Sequence, residues 1–246
     1  MFKLLADARP TRGVTIEKIR AASTAWLASD RLRREIHLGK YVPGDKLPPQ
    51  RQLACKLGVS LMTLREALRI LEAEGYLTMR RGATGGAIIT ASRESVEVLQ
   101  ERLRSRIDEF AEWMEFREAV EAAAARLAAE RISAQEIAGL RTTLAQIGGE
   151  ADVQSFRSAD SAFHLGLAQA SRNQLIRQAV EDARAAMFLA FDAVPHLVVL
   201  ESTVSAHERI LAAVVAHDRS QAERSMAEHI RTSWEEIRSI IEGRLA

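Results

Sequence analysis

The chain holds a single cysteine in 246 residues. A lone Cys55 excludes an intramolecular disulfide and fits a reducing compartment; its expected role is that of a small packed side chain. Long apolar runs are missing as well. None approaches the roughly 18 residues of a membrane span. The opening "MFKLLADARPTRG" has too short an apolar stretch for a secretory signal. There is no repeat and no low-complexity segment. These absences exclude a disulfide scaffold and a helical membrane protein and lead to an expected cytoplasmic location. What remains, 47% hydrophobic and 27% charged, is an ordinary globular composition, large enough for a real core in one or two domains.

Net charge is also scarce, at +1, but the sum hides a division. Residues 1–90 carry 16 Lys/Arg and 8 Asp/Glu, giving +8; residues 91–246 carry 18 and 25, giving −7. A basic first third on an acidic remainder suggests that only the first third meets a polyanion.

Residues 1–20 lack clear periodicity and read as an arm. A helical pattern covers about Ser23 to Leu38, and "GKYVPGDKLP" breaks it. "PQRQLACKL" is a short helix with Pro49 suited to its first turn. "GVS" is a tight turn in which Ser60 is a natural N-cap. The next helix runs to about Glu74, with Leu64, Leu68 and Leu71 on one face. "YLTMR" and "AIIT" flank the glycine-rich "RGATGG" as a hairpin. Three helices and a hairpin over residues 21–91 describe a winged helix-turn-helix. From 95 to 246 the texture is helical only, with segments near 95–106, 108–131, 133–146, 152–170, 173–190, 203–216 and 220–242. "SAQE" at 133 and "SQAE" at 220 have capping-box spacing. "VPHLVV" interrupts the helices around Pro195. The expected fold class is therefore mainly α: a winged helix-turn-helix followed by an all-α antiparallel bundle of six to seven helices.

In a helix-turn-helix the second helix enters the major groove and its first residues meet base edges. Here those are Ser60, Leu61, Met62, Thr63 and Arg65, with Arg69 one turn on and Arg51 on the preceding helix. Arg80, Arg81 and Gly82 belong to the wing, and Lys46 and Lys56 suit phosphates. "GDKLPPQRQLACKLGVSLMTLREALRILEAEGYLTMRRGATGG" closely resembles the N-terminal domain of the GntR family of bacterial transcription regulators. It keeps Pro43-Gly44, Leu47-Pro48, Arg51, Leu53-Ala54, Gly58-Val59-Ser60, Arg65 to Arg69, Leu71-Glu72 and Gly75. The resemblance implies operator contact by Arg51, Arg65 and Gly82. Leu61 stands where an arginine is common and Gln50 where serine or a neighbouring glutamate is usual, which leaves the operator sequence open.

The helical half poses a different problem. In "SADSAFHLGLAQAS" an apolar stripe through Phe156, Phe163 and Leu167 also carries Asp160 and His164, four residues apart and so on one face. A buried charge needs a partner. His207 shares a face with Ile210, Leu211 and Val214, and His229 with Met226, Ser233 and Ile237. Three imidazoles and a carboxylate suit zinc or a related divalent ion, nickel and manganese included. Spacing alone leaves hydrogen-bonded core histidines and a buried Asp–His pair as alternatives. His37, His196 and His217 lack the pattern and read as surface or structural residues.

The second half resembles the FCD ligand-binding domain of the FadR-type GntR branch. "FREAVEAAAARLAAE" keeps Arg117 and Glu121 of its V-R-x-x-x-E helix, with Phe116 in place of valine; "DSAFHLGLAQASRNQLI" and "SAHERILAAVVAHDRSQAERSMAEHI" match its Asp-then-His helix and closing histidine motifs. The resemblance implies that Asp160, His164, His207 and His229 hold a metal, and that the chain dimerises through residues 95–246. It also supports a small carboxylate or hydroxy-acid effector, which Arg117 would clamp unless it pairs with Glu121. Asn173 is either an effector donor or the N-cap of the next helix. Arg172 stands where the family often has glycine, which would alter the pocket rim. The expected function is a homodimeric repressor on palindromic operator DNA. A metal sensor is the alternative, and a metal-dependent hydrolase a remote one, because no general base is visible beyond the four ligands.

Overall fold

The computed structural model describes residues 23–82, 85–90, 96–149, 153–187 and 196–244. The proposed arm and the hairpin tip at 83–84 lie outside them.

Helix α1 (Thr24–His37) starts where Ser23 accepts a hydrogen bond from the Trp26 amide, 3.1 Å away. Helices α2 (Gln50–Leu57) and α3 (Leu61–Ala73) are joined by a turn at Gly58, whose φ of +66° is the left-handed conformation glycine adopts without penalty. Ser60 caps α3 by accepting from the Thr63 amide. Strands β1 (Leu77–Arg80) and β2 (Gly86–Ile89) pair antiparallel in the register Leu77–Ile89 to Arg80–Gly86. Leu32, Ile36, Leu53, Leu64, Leu68, Leu71, Leu77 and Ile89 close one apolar core under this head.

Seven further helices among the described residues form the second half. They are α4 (Val96–Arg104), α5 (Ile107–Arg131), α6 (Ala134–Ile147), α7 (Val153–Ala170), α8 (Gln174–Ala186), α9 (His196–Val215) and α10 (Arg219–Ile241). The 25-residue α5 runs through the middle and packs on α7, α8, α9 and α10. Phe110, Met114, Phe163, Leu167, Ile210, Met226 and Ile237 fill the core around it. The mainly helical class, with a winged head and a helical bundle, is thus the architecture.

Some sequence-based expectations need correcting. Cys55 is exposed on the outer side of α2 instead of packed. The capping box at Ser133 forms with Glu136. The one at Ser220 does not: Asp218 caps α10 two residues earlier, accepting from the Gln221 amide at 2.9 Å. Helix α9 begins at His196, seven residues before the expected start. "HLVVLES" is therefore part of the helix, and the expected break at Pro195 lies outside the described residues. Helix α8 ends at Ala186, and the expected extension over 188–190 lies outside the described residues.

Candidate metal centre

Three helices deliver four side chains to one point. Asp160 and His164 come from the inward face of α7, His207 from α9 and His229 from α10, and all three imidazoles are buried. One ligand atom from each residue lies within 4.8 Å of all the others. His207 Nε2 stands 3.1 Å from His164 Nε2 and 3.2 Å from His229 Nε2. Asp160 Oδ1 is 3.6 Å from His207 Nε2 and 3.8 Å from His164 Nε2.

The imidazole–imidazole spacings of 3.1 and 3.2 Å fit a shared cation, with Asp160 standing slightly farther off. Two donors about 2.1 Å from one ion, at angles between 90° and tetrahedral, stand roughly 3.0–3.4 Å apart. A hydrogen-bonded trio fails on proton count, since His207 Nε2 faces two ring nitrogens and one N–H serves only one of them. Burial pushes the imidazoles toward the neutral form a metal requires. His229 is lowered to about 3, by burial and then by His164. His207 falls well below its ordinary value for the same reasons, with His229 adding to them. For Asp160 burial acts the other way, but Arg184 and the imidazoles outweigh it and hold the carboxylate ionised.

Behind the ligands lies a buried support. His164 Nδ1 meets the Glu121 carboxylate, which leaves His164 Nε2 with a free lone pair facing the cluster. Glu121 in turn accepts from Arg117 Nε at 2.8 Å; Arg117 is only 1% exposed. His207 is held differently, by stacking on Phe163 with ring centroids 4.2 Å apart and planes 10° from parallel. Asp160 uses its second oxygen, Oδ2, to accept from Arg184, whose guanidinium also reaches Ser161 Oγ at 3.2 Å.

A cavity of about 60 Å³ adjoins the cluster, walled in part by Arg117, Arg157, Asp160, His164, Arg184 and His229. Sequence reasoning missed Arg184 and Arg157. The signal for Arg184 was present: Val180, Ala183 and Met187 mark the buried face of α8, and Arg184 falls on it. Asn173 is not among the lining residues. It is the N-cap of α8, its Oδ1 accepting from the Leu175 and Ile176 amides. Arg172 is not on the rim either. It has a φ of 54° and forks onto Glu136 through two 2.7 Å hydrogen bonds. Among the other histidines, His37 joins the two halves and His217 Nδ1 lies 2.7 Å from the carbonyl of Ala129.

Comparison with known proteins agrees with the two-part fold. Residues 27–84 match the description "Bacterial regulatory proteins, gntR family" and residues 112–232 match the FCD domain. The transcriptional regulator LutR of Bacillus subtilis is 30% identical over 82% of this chain and 94% of its own. The chain belongs to the GntR family. The Exu regulon transcriptional regulator of Escherichia coli is 29% identical over 83% of this chain and 80% of its own. The solved structure of E. coli McbR/YncC, 20% identical, shares the fold with a TM-score of 0.54 over 91% of this chain and 99% of that one. This GntR protein is therefore a DNA-binding transcription regulator with an FCD effector domain, and its relatives are regulators, not enzymes. No helix among the described residues is long and apolar enough to cross a membrane.

On the GntR head, Arg51, Ser60, Arg65, Arg69, Arg81 and Gly82 are exposed, while Leu61 and Thr63 are half-buried. Ser60 Oγ and Thr63 Oγ1 lie 2.8 Å apart, and Arg65 Nε donates to Gln50 Oε1 at 3.2 Å. Met62, in the first turn of α3, is 80% exposed.

Proposed function

We propose that this GntR regulator is a homodimeric repressor of a palindromic operator, released by a small carboxylate or hydroxy acid. The head would span residues 21–91 and the effector and dimerisation half residues 95–246. The convergence of three imidazole nitrogens and a carboxylate oxygen within 4.8 Å carries the reading. Asp160, His164, His207 and His229 hold a divalent ion; zinc suits three nitrogens and one oxygen, and nickel or manganese fit the same donors. The ion supplies a positive centre with coordination positions left for an acid. Arg117, whose Nε is paired with Glu121, and Arg184, which holds Asp160, both place guanidinium groups on the wall of the same cavity. Arg51, Ser60, Leu61, Thr63, Arg65 and Arg69 form the surface offered to the major groove, and Arg81 and Gly82 that offered by the wing. Such a protein acts in the cytoplasm, at the nucleoid.

The test is a gel shift on the DNA upstream of the protein's own coding region, at stated salt, with the metal-loaded chain and a panel of small acids. Specific binding weakened by one acid is expected. Failure to bind that DNA specifically ends the operator reading; specific binding that no acid shifts ends the effector reading. A response to free zinc across its regulatory range would instead identify a metal sensor.

A further inference from the structure

The cavity beside the four ligands is not walled by the bundle alone. Ile36, His37 and Gly39, from the end of α1 and just beyond it, line it as well. Helix α1 belongs to the head. Leu32 and Ile36 pack in the head core, and Arg33 forks onto Glu74 beyond the end of α3 at 2.8 and 3.0 Å. Whatever moves the head moves this part of the wall.

Three contacts press it against the bundle. Arg34 ion-pairs with Asp182 of α8. His37 Nδ1 donates to the Ala185 carbonyl at 3.2 Å, which leaves Nε2 to accept from the Tyr76 hydroxyl at 3.0 Å. Ser158 Oγ of α7 donates to the Gly39 carbonyl at 2.9 Å. The close approach depends on glycine: at φ +70°, a Cβ on Gly39 would stand 2.9 Å from Ser158 Cα, and backbone cannot swing aside. Docking and ligand groups alternate along the same helices, Ser158 beside Asp160 on α7 and Asp182 and Ala185 beside Arg184 on α8. Polar contacts at a partly exposed seam each contribute little, so the docked arrangement is one a ligand can shift.

We propose that the small-acid site is shared between the DNA-reading head and the bundle, so that filling it and docking the head are one equilibrium. The inference rests on the small-acid reading above. An acid in the cavity touches the head directly and favours the docked position. It changes operator affinity by its preference for that position and by no more.

The experiment uses the full zinc-loaded chain, titrated calorimetrically with L-lactate, malonate and inorganic phosphate. Gly39→Val wedges the head from α7 without touching a metal ligand. Arg34→Ala loosens the seam although Arg34 does not line the cavity. An acid that binds the native chain is expected to bind Gly39→Val at least about fivefold more weakly, the lower end of usual allosteric coupling, and to lose its effect on operator binding, while zinc affinity is kept. Arg34→Ala shifts both readouts the same way by less, and carries the test if Gly39→Val does not fold. Native acid affinity in folded, zinc-binding variants overturns the shared site and leaves the small-acid reading standing. Absence of binding by every probe to the native chain overturns that reading and this inference together.

Discussion

Glu121 decides which nitrogen His164 presents. Its carboxylate accepts from Nδ1–H, so Nε2 points its lone pair at the other imidazoles. Glu121→Gln is expected to weaken zinc binding about 10–100-fold with little loss of fold, read by competition with a chromophoric chelator; unchanged affinity would show that Glu121 only neutralises Arg117. Glu121→Ala is a harsher change, because it strands the buried Arg117 guanidinium, and about 3–5 kcal/mol of stability should go with it. On the head, Met62 is an apolar side chain offered to solvent in the first turn of the reading helix, where Leu61 already replaces a common arginine. Apolar contact in the major groove selects the thymine methyl. Replacing the contacted thymine by uracil in a selected operator should cost about 0.8 kcal/mol, roughly fourfold. The Met62→Ala protein should not feel that replacement; an equal thymine preference in both proteins would remove Met62 from the reading surface.

At the scale of elements, the turn between α7 and α8 holds an arginine where glycine would be unstrained. A left-handed residue with a Cβ costs about 1–2 kcal/mol, and the Arg172–Glu136 fork offsets part of it. Arg172→Ala keeps the strain and loses the fork, whereas Arg172→Gly loses both. The glycine variant is expected to be the more stable of the two by about 1 kcal/mol in urea unfolding; the reverse order would mean that the left-handed turn carries no strain. This turn also shows what a sequence can and cannot reveal. Periodicity and capping residues located the helices of the head to within a residue or two, because Ser23, Ser60 and the leucine stripe of α3 act locally. Asp160 and His164 were legible as a pair for the same reason. The helical turns over residues 196–202 were not, because a proline in the sequence signals a break without saying on which side of it the helix lies. Nor was the contact between Arg184 and Asp160, which depends on how α8 lies across α7 and so on tertiary packing that no local spacing encodes. Asn173 was ambiguous until the start of α8 was fixed, since one amide side chain can cap a helix through its oxygen or donate to a ligand through its nitrogen.

For the whole molecule, buried neutral imidazoles make stability depend on pH. Burial lowers His37 to about 4 despite its bond to Ala185, and His229 to about 3, against about 6.5 in the unfolded chain. The unfolded state thus binds protons first as pH falls. The stability these groups confer is intact above about pH 6.5 and is lost from there down toward pH 4 and 3. The metal-free chain should lose about 2 kcal/mol per such histidine between pH 7.5 and pH 5, measured by urea midpoint, and His37→Gln should remove one share. Asp160 and Glu121, both depressed, contribute above the ordinary carboxylate range and are lost only in stronger acid, so they do not mask the effect. A flat profile from pH 7.5 to 5 would mean that these rings are hydrated in solution. The chamber beside them sets a further bound. At about 60 Å³ it has room for roughly four to six waters. A nucleotide, a coenzyme thioester or a fatty acyl tail exceeds that volume, so a ligand of such bulk would have to displace wall residues such as His37 and Gly39, and with them the head, whereas a compact acid of the proposed kind would not.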